Sequence, residues 1–486
     1  MKRYFEADFL ERAAKMLWAL VLLTIPVTTF PYIPGPLGRS TIKPLALFPL
    51  AVLLPVLVLL IMRRKRISLP PNTLPLLAFL LFALASSAIA LAYAPLEVRG
   101  VDRLEGSIKG WLSVALGLSF FLSAFWLNRS KEDLRFTLKW LYIALGITLL
   151  WSLIQSLAVN TDVLPRSMIN QLQLLISDRP VQPRRVTGFA AEPAWLGDQL
   201  VIYFIPWVFA AMLTRFSFLK QKWVEWLLFA ISIAVLLFTF SRGGLLGGLI
   251  AFGVVLIVLG RDFVRRVFGW VLQPFRSGSD AERGLGMLGR VVLLVLIVAI
   301  LYAGFLFASD YPYFANLWNT SRDQTVANYL IELNIAQRVA YAAAAYQVYE
   351  VYPLSGVGLG ASGLYLFEEF PDWALGVPEV ARLLNPESNV IPNPKNLYAR
   401  LLAETGLPGF LLFMGFALSF LLIIRKQLQS GELWLRYAAT AGLFAWVAIM
   451  VRNLTQDSLT WPIMWVSLGL IAGLSPQPKI EEERKL

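Results

Sequence analysis

The chain has 486 residues, of which 57% are hydrophobic and 15% are charged, and its formal net charge is +12. A soluble domain carries about 25% charged residues, so this composition excludes a soluble globular enzyme. The sequence contains neither cysteine nor histidine, which argues against disulfides, thiolate chemistry and a zinc, haem or iron–sulfur site. The basic excess fits loops beside anionic lipid better than it fits nucleic-acid binding.

Apolar runs of about 20 residues recur along the whole sequence and predict an all-α, polytopic membrane protein with about twelve transmembrane helices. The first residues, 1–15, lack the design of a cleavable signal peptide. The predicted spans lie near 14–31, 44–62, 73–92, 110–127, 137–157, 195–214, 223–240, 244–260, 291–308, 407–424, 434–451 and 460–475.

Positive charge is concentrated in alternate loops. If the N-terminus is cytoplasmic, the cytoplasmic segments hold most of the 43 Lys and Arg residues, although the outer segments are longer in total. The clearest anchors are RRKR at 63–66 and RDFVRR at 261–266. By the positive-inside rule, both termini are predicted to be cytoplasmic.

Two long outer segments divide the chain. The large segment, between helices 9 and 10, is predicted to contain one helix over 324–352, ended by Pro353. Its GVGLGASG at 356–363 lacks the Lys-Ser/Thr of a nucleotide-binding loop and is expected to form a flexible turn. The predicted parts are helices 1–5 (1–158), an outer loop (159–194), helices 6–9 (195–308), the large outer loop (309–406), and helices 10–12 with a cytoplasmic tail (407–486).

Cationic residues on the outer side oppose the topology signal and therefore need another explanation. As a set they suggest an anion site, because a guanidinium group can donate two hydrogen bonds to a diphosphate. For each residue alone, a salt bridge, snorkelling or a lipid contact stays open. The candidates are Arg184, Arg185, Arg242, Arg338, Lys395, Arg400 and Arg452.

Few acidic residues lie near the outer ends of the predicted spans. Glu192 and Asp198 flank the start of the sixth span, and Asp198 falls within its apolar pattern, which makes it a functional candidate. Glu404 follows Arg400 by four residues, so an ion pair within one helix is the preferred interpretation. The glycine spacing of SRGGLLGG at 241–248 predicts close helix packing that would hold its arginine rigidly.

Four motifs, in this order along the chain, resemble those of a known family. They are VTGFAAEPAWLGDQL at 186–200, FSRGGLLGGLIAF at 240–252, QRVAYAAAAYQVYEVYPLSGVGLGA at 337–361 and NPKNLYARLLAETGLPG at 393–409. Over roughly residues 180–470 the chain resembles the superfamily of O-antigen polymerases and O-antigen ligases, which are bacterial envelope glycosyltransferases. The resemblance implies a GT-C-like fold in the bacterial inner membrane, with periplasmic outer loops and a periplasmic active site.

The resemblance also implies metal-independent glycosyl transfer, without a cofactor, from a saccharide on undecaprenyl diphosphate. Ligases of the superfamily carry a histidine where this chain has Lys395, which is followed by Asn396, Gly406 and Gly409. Polymerases often have a basic residue, ten further residues and then a glycine, as from Lys395 to Gly406. A polymerase is therefore favoured. The alternatives are an O-antigen ligase acting on lipid A–core or a protein and, from another class, a transporter.

In this mechanism a base would accept the proton of the attacking sugar hydroxyl, and the diphosphate would be held by Arg184 or Arg185, Arg242, Arg338 and Lys395. The base stays open among Glu192, Asp198, Glu404 and Lys395. The predicted partners are undecaprenyl-diphosphate-linked oligosaccharide and membrane lipids, with a chain-length regulator and a flippase as further candidates and no nucleic acid. The predicted catalytic residues are Lys395, Arg242, Arg338 and Glu192, and the predicted substrate-binding residues are Arg184, Arg185, Asp198, Asn396, Arg400 and Arg452.

Overall fold

A computed structural model describes most of the chain, and its described part is predominantly helical with almost no strand. Seven of the described helices are long and apolar enough to cross a membrane, which confirms the prediction of an all-α, multi-pass membrane protein. A single hairpin pairs β1 (Glu97–Val98) with β2 (Val101–Asp102) within the described residues. The described residues are 2–33, 42–64, 68–92, 97–161, 163–272, 288–292 and 325–475, together with isolated positions between 295 and 316.

The helices follow the apolar pattern of the sequence. Helices overlap eleven of the twelve predicted spans, and the span predicted at 291–308 lies largely outside the described residues. The first helices are α1 (Lys2–Thr24), α2 (Leu47–Arg64), α3 (Thr73–Leu91), α4 (Arg103–Trp126), α5 (Lys131–Asn160) and α6 (Arg166–Leu174). Next come α7 (Pro193–Asp198), a π-helical turn (Gln199–Phe204), α8 (Ile205–Thr214), α9 (Lys222–Phe238), α10 (Arg242–Leu259) and α11 (Arg261–Leu272). The last are α12 (Val326–Glu332), α13 (Ala336–Val351), α14 (Ser362–Tyr365), a 3₁₀ turn (Asp372–Gly376), α15 (Pro378–Leu384), α16 (Leu397–Gln429), α17 (Leu433–Arg452) and α18 (Pro462–Gly473).

The centre of the bundle is the continuous helical stretch Pro193–Thr214, which is buried within the protein along its whole apolar window. A helix that is apolar on every face is stable only when other helices cover it, and α10, α17 and α18 pack against this one. Pro206 cannot donate a helical hydrogen bond, and the π-helical turn directly precedes α8, in which Pro206 is one of the first residues. This central helix carries the acidic side chain of Asp198 into the protein interior.

The predicted helix over 324–352 is broken in two. Asn334, between α12 and α13, has φ +52°, a left-handed conformation that asparagine tolerates better than most residues. The last carbonyls of α12 are therefore released from the helical pattern and accept hydrogen bonds from elsewhere. The first predicted span is also shorter than expected: α1 ends at Thr24, because Pro26 disfavours helical geometry at the residue before it.

The glycine-rich segment 356–363 is a buried loop, so the expectation of a flexible turn was wrong. Gly356, Gly358 and Gly360 have φ values of +63°, +89° and +82°, which only glycine adopts without strain. The loop can therefore lie directly on the backbone of α16, where the Val357 amide donates to the Ala403 carbonyl at 2.9 Å.

Candidate functional site

Several helix ends meet around a cavity of about 560 Å³ at one end of the bundle. Its wall includes residues from the starts of α7 and α18, from α13 and α15, and from the segments that follow α1 and α17. One part of the wall is charged and the other apolar, an arrangement suited to an amphiphilic ligand. The charged residues are Arg179, Glu192, Asp198, Arg338, Glu379, Lys395 and Asp457, and the apolar ones include Ile25, Pro44, Trp195, Trp461 and Ile463.

A buried ion pair forms the floor beside this cavity. Arg452, at the end of α17, donates from Nε and Nη2 to the two carboxylate oxygens of Asp198, at 2.5 and 3.1 Å. The two residues are 4% and 2% exposed, so each charge depends on the other for solvation. Since both oxygens of Asp198 accept from Arg452, the structure favours a positioning role for Asp198 over a free base.

Two glycines of α10 make room for the Arg452 side chain. A Cβ atom added at Gly243 would lie 1.6 Å from Nη1 of Arg452, and one added at Gly247 would lie 3.2 Å from its Cδ. The predicted small-residue packing therefore leaves space for the Arg452 side chain between α10 and α17. The neighbouring Gly244 instead packs against Gly197 of α7.

Arg338, on α13, extends the charged wall. Its Nη1 donates to the carbonyl of Thr455, whose hydroxyl accepts at 2.8 Å from Nη1 of Arg452. Within the part of the chain that the structure describes, Arg338 forms no ion pair with a carboxylate. A guanidinium group that lines a cavity without such a partner is suited to bind an anionic ligand.

Lys395 lies just before α16 in a left-handed backbone conformation, with φ +52°. Its amide donates to Oδ2 of Asp457 at 3.2 Å, and its ammonium group pairs with Glu379. The same ammonium lies 4.4 Å from the ring centroid of Tyr341, which is a cation–π contact. Lys395 is thus held at the cavity by three separate contacts.

Asp457 was missed in the sequence analysis. It lies in the short segment between α17 and α18, is 9% exposed and lines the cavity. Burial raises the pKa of its carboxyl group, although the Arg400 guanidinium partly offsets this effect. The sequence did offer a signal for this residue: it is an acidic residue five positions after Arg452, in the short segment between two predicted spans.

Glu192 pairs with Arg179, another cavity residue that the sequence analysis passed over. The loop that precedes Glu192 is held by Gln155 of α5. The side-chain oxygen of Gln155 accepts from the amides of Thr187 and Gly188 at 3.1 and 2.8 Å. A fully buried glutamine therefore fixes the start of the central helix.

Arg185 and Arg242 do not line the cavity as the structure describes it. Arg242 begins α10 and donates to the Leu333 carbonyl at 2.6 Å, at the break between α12 and α13. Arg185 donates to the Thr239 carbonyl at 3.0 Å at the end of α9. Both hydrogen bonds hold in place a segment next to the site: the break between α12 and α13 for Arg242, and the end of α9 for Arg185.

Arg184 is exposed and lies outside the cavity wall. Asn396 caps α16, because its side-chain oxygen accepts from the amides of Tyr398 and Ala399 at 2.9 and 3.1 Å. Each of these residues still stands as a predicted substrate contact, but Asn396 also has a structural role.

Arg400 and Glu404 form the ion pair that the sequence analysis preferred, with Nε and Oε1 3.0 Å apart. Glu404 is 1% exposed and also accepts from the Ser362 hydroxyl at 2.8 Å. Arg400 donates to the Asp457 carbonyl at 2.8 Å. The pair therefore supports the segment behind the cavity wall, and Glu404 does not itself line the cavity.

Four of the predicted site residues thus line one cavity: Glu192, Asp198, Arg338 and Lys395. Arg452 lies directly beneath them, in contact with Asp198. The described residues contain no group of three or more carboxylates arranged to hold a metal ion.

Comparison with protein families gives a match to part of the chain. Residues 227–414 match the model of a family described as O-antigen ligase. The matched segment includes Arg242, Arg338 and Lys395, whereas Asp198 and Arg452 lie outside it. No curated protein matches the chain. The family match supports the superfamily of O-antigen polymerases and ligases and confirms the resemblance seen in the sequence.

Proposed function

We propose that this chain is an O-antigen polymerase of the O-antigen polymerase and ligase superfamily. It transfers a growing glycan from undecaprenyl diphosphate to a lipid-linked repeat unit at the periplasmic face of the bacterial inner membrane. The family match supports an enzyme of the glycosyltransferase or ligase type with lipid-linked saccharide substrates. The polymerase activity, the undecaprenyl diphosphate donor and the membrane face are the proposed parts.

The observation that carries the proposal is the position of Arg338 in the cavity. Its guanidinium group has no carboxylate partner among the described residues. Arg179 and Lys395 are paired with glutamates whose side chains are 33% and 46% exposed. Exposed ion pairs are weak, with a median of about 0–1 kcal/mol, so a diphosphate can replace these carboxylates. Three cations then surround the leaving group.

The apolar part of the wall suits the rest of an amphiphilic donor. Ile25, Pro44 and Ile463 bound the cavity next to the apolar ends of α1, α2 and α18. Trp195 and Trp461 offer flat surfaces on which a sugar or an isoprenoid can pack. A diphosphate at the charged wall would therefore have space for a lipid tail beside it.

The proposed reaction needs an acceptor, a base and a stabilised leaving group. A hydroxyl oxygen of the acceptor sugar attacks the anomeric carbon of the donor, and the bond from that carbon to the phosphate oxygen breaks. The diphosphate leaves with the electron pair, and a carboxylate takes the hydroxyl proton. Preorganised cations stabilise the charge that develops on the leaving oxygen, so Arg338, Arg179 and Lys395 supply this function without a metal ion.

An O-antigen ligase is the second candidate. The description of the matched family favours it, whereas Lys395 at the position of the ligase histidine favours a polymerase. The acceptor decides between them: a polymerase extends a lipid-linked unit, and a ligase transfers the glycan to lipid A–core or to a protein.

The test uses the purified chain in liposomes with undecaprenyl-diphosphate-linked repeat units, in the presence of EDTA. A ladder of longer lipid-linked products is expected, and Arg338→Gln should abolish most of it. Arg382→Gln is the matched control, because Arg382 is an exposed arginine of α15 outside the cavity wall. Product only on added lipid A–core or protein would favour the ligase. Activity lost in EDTA and restored by a divalent cation would contradict the metal-independent mechanism.

A further inference from the structure

Glu379 is the most exposed of the paired carboxylates at the charged wall. Its side chain is 46% exposed, and its Oε1 contacts the ammonium group of Lys395. Within the described residues, Oε2 of Glu379 has no hydrogen-bond partner. Asp198, by comparison, has both oxygens bound to Arg452. Glu379 is therefore a cavity carboxylate that has an oxygen available for a ligand.

The helix that carries Glu379 is fixed in place. Val380 and Leu383 on α15 are buried in a cluster with α13. At the other end of α15, Arg99 donates from Nη2 to the carbonyls of Leu383 and Asn385, at 2.7 and 3.1 Å. A short helix that is anchored at both ends holds a side chain of its first turn in a constant position, as a catalytic group requires.

Lys395 does not depend on Glu379 for its position. The Tyr341 ring lies against its ammonium group, and its backbone amide is bound to Asp457. When a diphosphate approaches, it can therefore take over the ammonium group while Lys395 stays where it is. The exchange releases the Glu379 carboxylate next to the reacting centre.

We infer that Glu379, the counter-ion of Lys395, becomes the general base once the donor diphosphate has replaced it at the ammonium group. This inference rests on the proposed glycosyl transfer. The acceptor O–H bond breaks as its oxygen bonds to the anomeric carbon, and the proton moves to Oε2 of Glu379. The bond from the anomeric carbon to the phosphate oxygen breaks, and its electron pair leaves with the diphosphate on Lys395 and Arg338. No further reactant is needed.

Other charged groups lie around Glu379. Lys395 faces it across the cavity wall, Arg382 lies one turn along α15, and Asp457 lies on the far side of Lys395. Burial, together with the Glu379 charge, raises the pKa of Tyr341 to about 12, so its phenol stays neutral near pH 7. An acidic limb in the pH–rate profile is therefore expected to come from a cavity carboxylate.

The experiment compares Glu379→Gln with wild type in liposomes, using undecaprenyl-diphosphate-linked repeat units as both donor and acceptor. Glutamine keeps the shape and a hydrogen bond to Lys395 but cannot accept the proton. We expect kcat to fall by about 10²- to 10⁴-fold, KM for the lipid-linked repeat unit to stay equal or decrease, and the acidic limb to disappear. Glu387→Gln is the control, because Glu387 is exposed on the same outer segment and lies outside the cavity wall.

Three outcomes contradict the inference. They are a kcat within threefold of wild type, an acidic limb that persists in Glu379→Gln, and a loss of rate caused only by a higher KM. A persistent limb would assign the proton to another carboxylate such as Asp457. These results leave the proposed function intact as long as wild type is active and Arg338→Gln is not. A wild-type protein that forms no glycosidic product would instead contradict the proposed function itself.

Discussion

Arg452 and Asp198 lie 254 positions apart in the sequence and form a bidentate ion pair in the interior of the bundle. The pair joins the central helix to the end of α17 directly beneath the cavity. Through Thr455, which contacts both Arg452 and Arg338, it also fixes the cation that we assign to the diphosphate. The buried ion pair therefore helps to hold the Arg338 side chain in position at the cavity.

Breaking this buried pair is expected to destabilise the protein. Arg452→Gln leaves the Asp198 carboxylate buried without a counter-ion, which lowers the free energy of unfolding by about 3–5 kcal/mol. Thermal unfolding in detergent measures the effect. The control is Lys109→Ala, which removes an exposed pair with Glu105 on α4 and should change the free energy by less than about 1 kcal/mol. Equal melting temperatures for the two variants would refute the structural role.

Gly243 is expected to tolerate no side chain. In Gly243→Ala the new methyl group would overlap the guanidinium of Arg452, so the Asp198 pair must break or α10 must move away from α17. We predict lost transferase activity and a lower melting temperature. Gly253→Ala on the same helix is the matched control, since nothing lies within 4 Å of its added Cβ. The packing argument fails if both alanine variants behave like wild type.

Lys395 is expected to act through its charge. Removing one charge-stabilising donor from a preorganised site lowers kcat by about 10²- to 10³-fold, so Lys395→Ala should lose that much rate in the liposome assay. Lys395→Arg keeps a cation at the same place and should retain more activity than alanine. Undiminished polymerisation by the alanine variant would remove this segment from the catalytic site.

The buried carboxyl group of Asp457 is expected to make the free energy of unfolding depend on pH. Burial raises the pKa of this carboxyl group above its ordinary value of 3.8, so the folded chain binds its proton more tightly than the unfolded chain. Its contribution to stability is therefore greatest below the ordinary pKa and is lost as the pH rises through the folded pKa. In Asp457→Asn this loss of stability with rising pH is absent, because the asparagine side chain does not titrate.

The measurement for Asp457 is the melting temperature of wild type and Asp457→Asn between pH 4 and pH 7. We expect the variant to gain stability relative to wild type as the pH rises. A relative loss with rising pH would mean that the nearby cations, Arg400 and Lys395, outweigh the burial of Asp457, contrary to the direction of its pKa.

The helical spans were predictable because apolar length and charge bias are properties of single segments. The break at Asn334 was not, since it depends on a backbone conformation that several residue types can adopt. The burial of the loop at 356–363 was also missed. Its glycines indicated conformational freedom, whereas the backbones they pack against are distant in the sequence: Gly356 contacts α16 at Glu404, and Gly360 contacts α4 at Gly106 and Gly110.

The candidate site was only partly predictable for a related reason. Sequence position identified the cations of the outer side, but it could not tell which of them already had partners. Arg400 and Arg452 are occupied by buried carboxylates, while Arg338 is not paired in this way within the described residues. Glu379 was missed because its role depends on contact with Lys395, 16 positions later on a separate element.

The central claim is that a lipid diphosphate binds at Arg338. The most direct measurement is the binding of undecaprenyl diphosphate, without a sugar, to the purified chain in detergent. Loss of a hydrogen bond to a charged group weakens binding by about 10- to 100-fold. We therefore predict this loss in Arg338→Gln and wild-type affinity in Arg382→Gln. Equal affinity of wild type and Arg338→Gln would contradict the account.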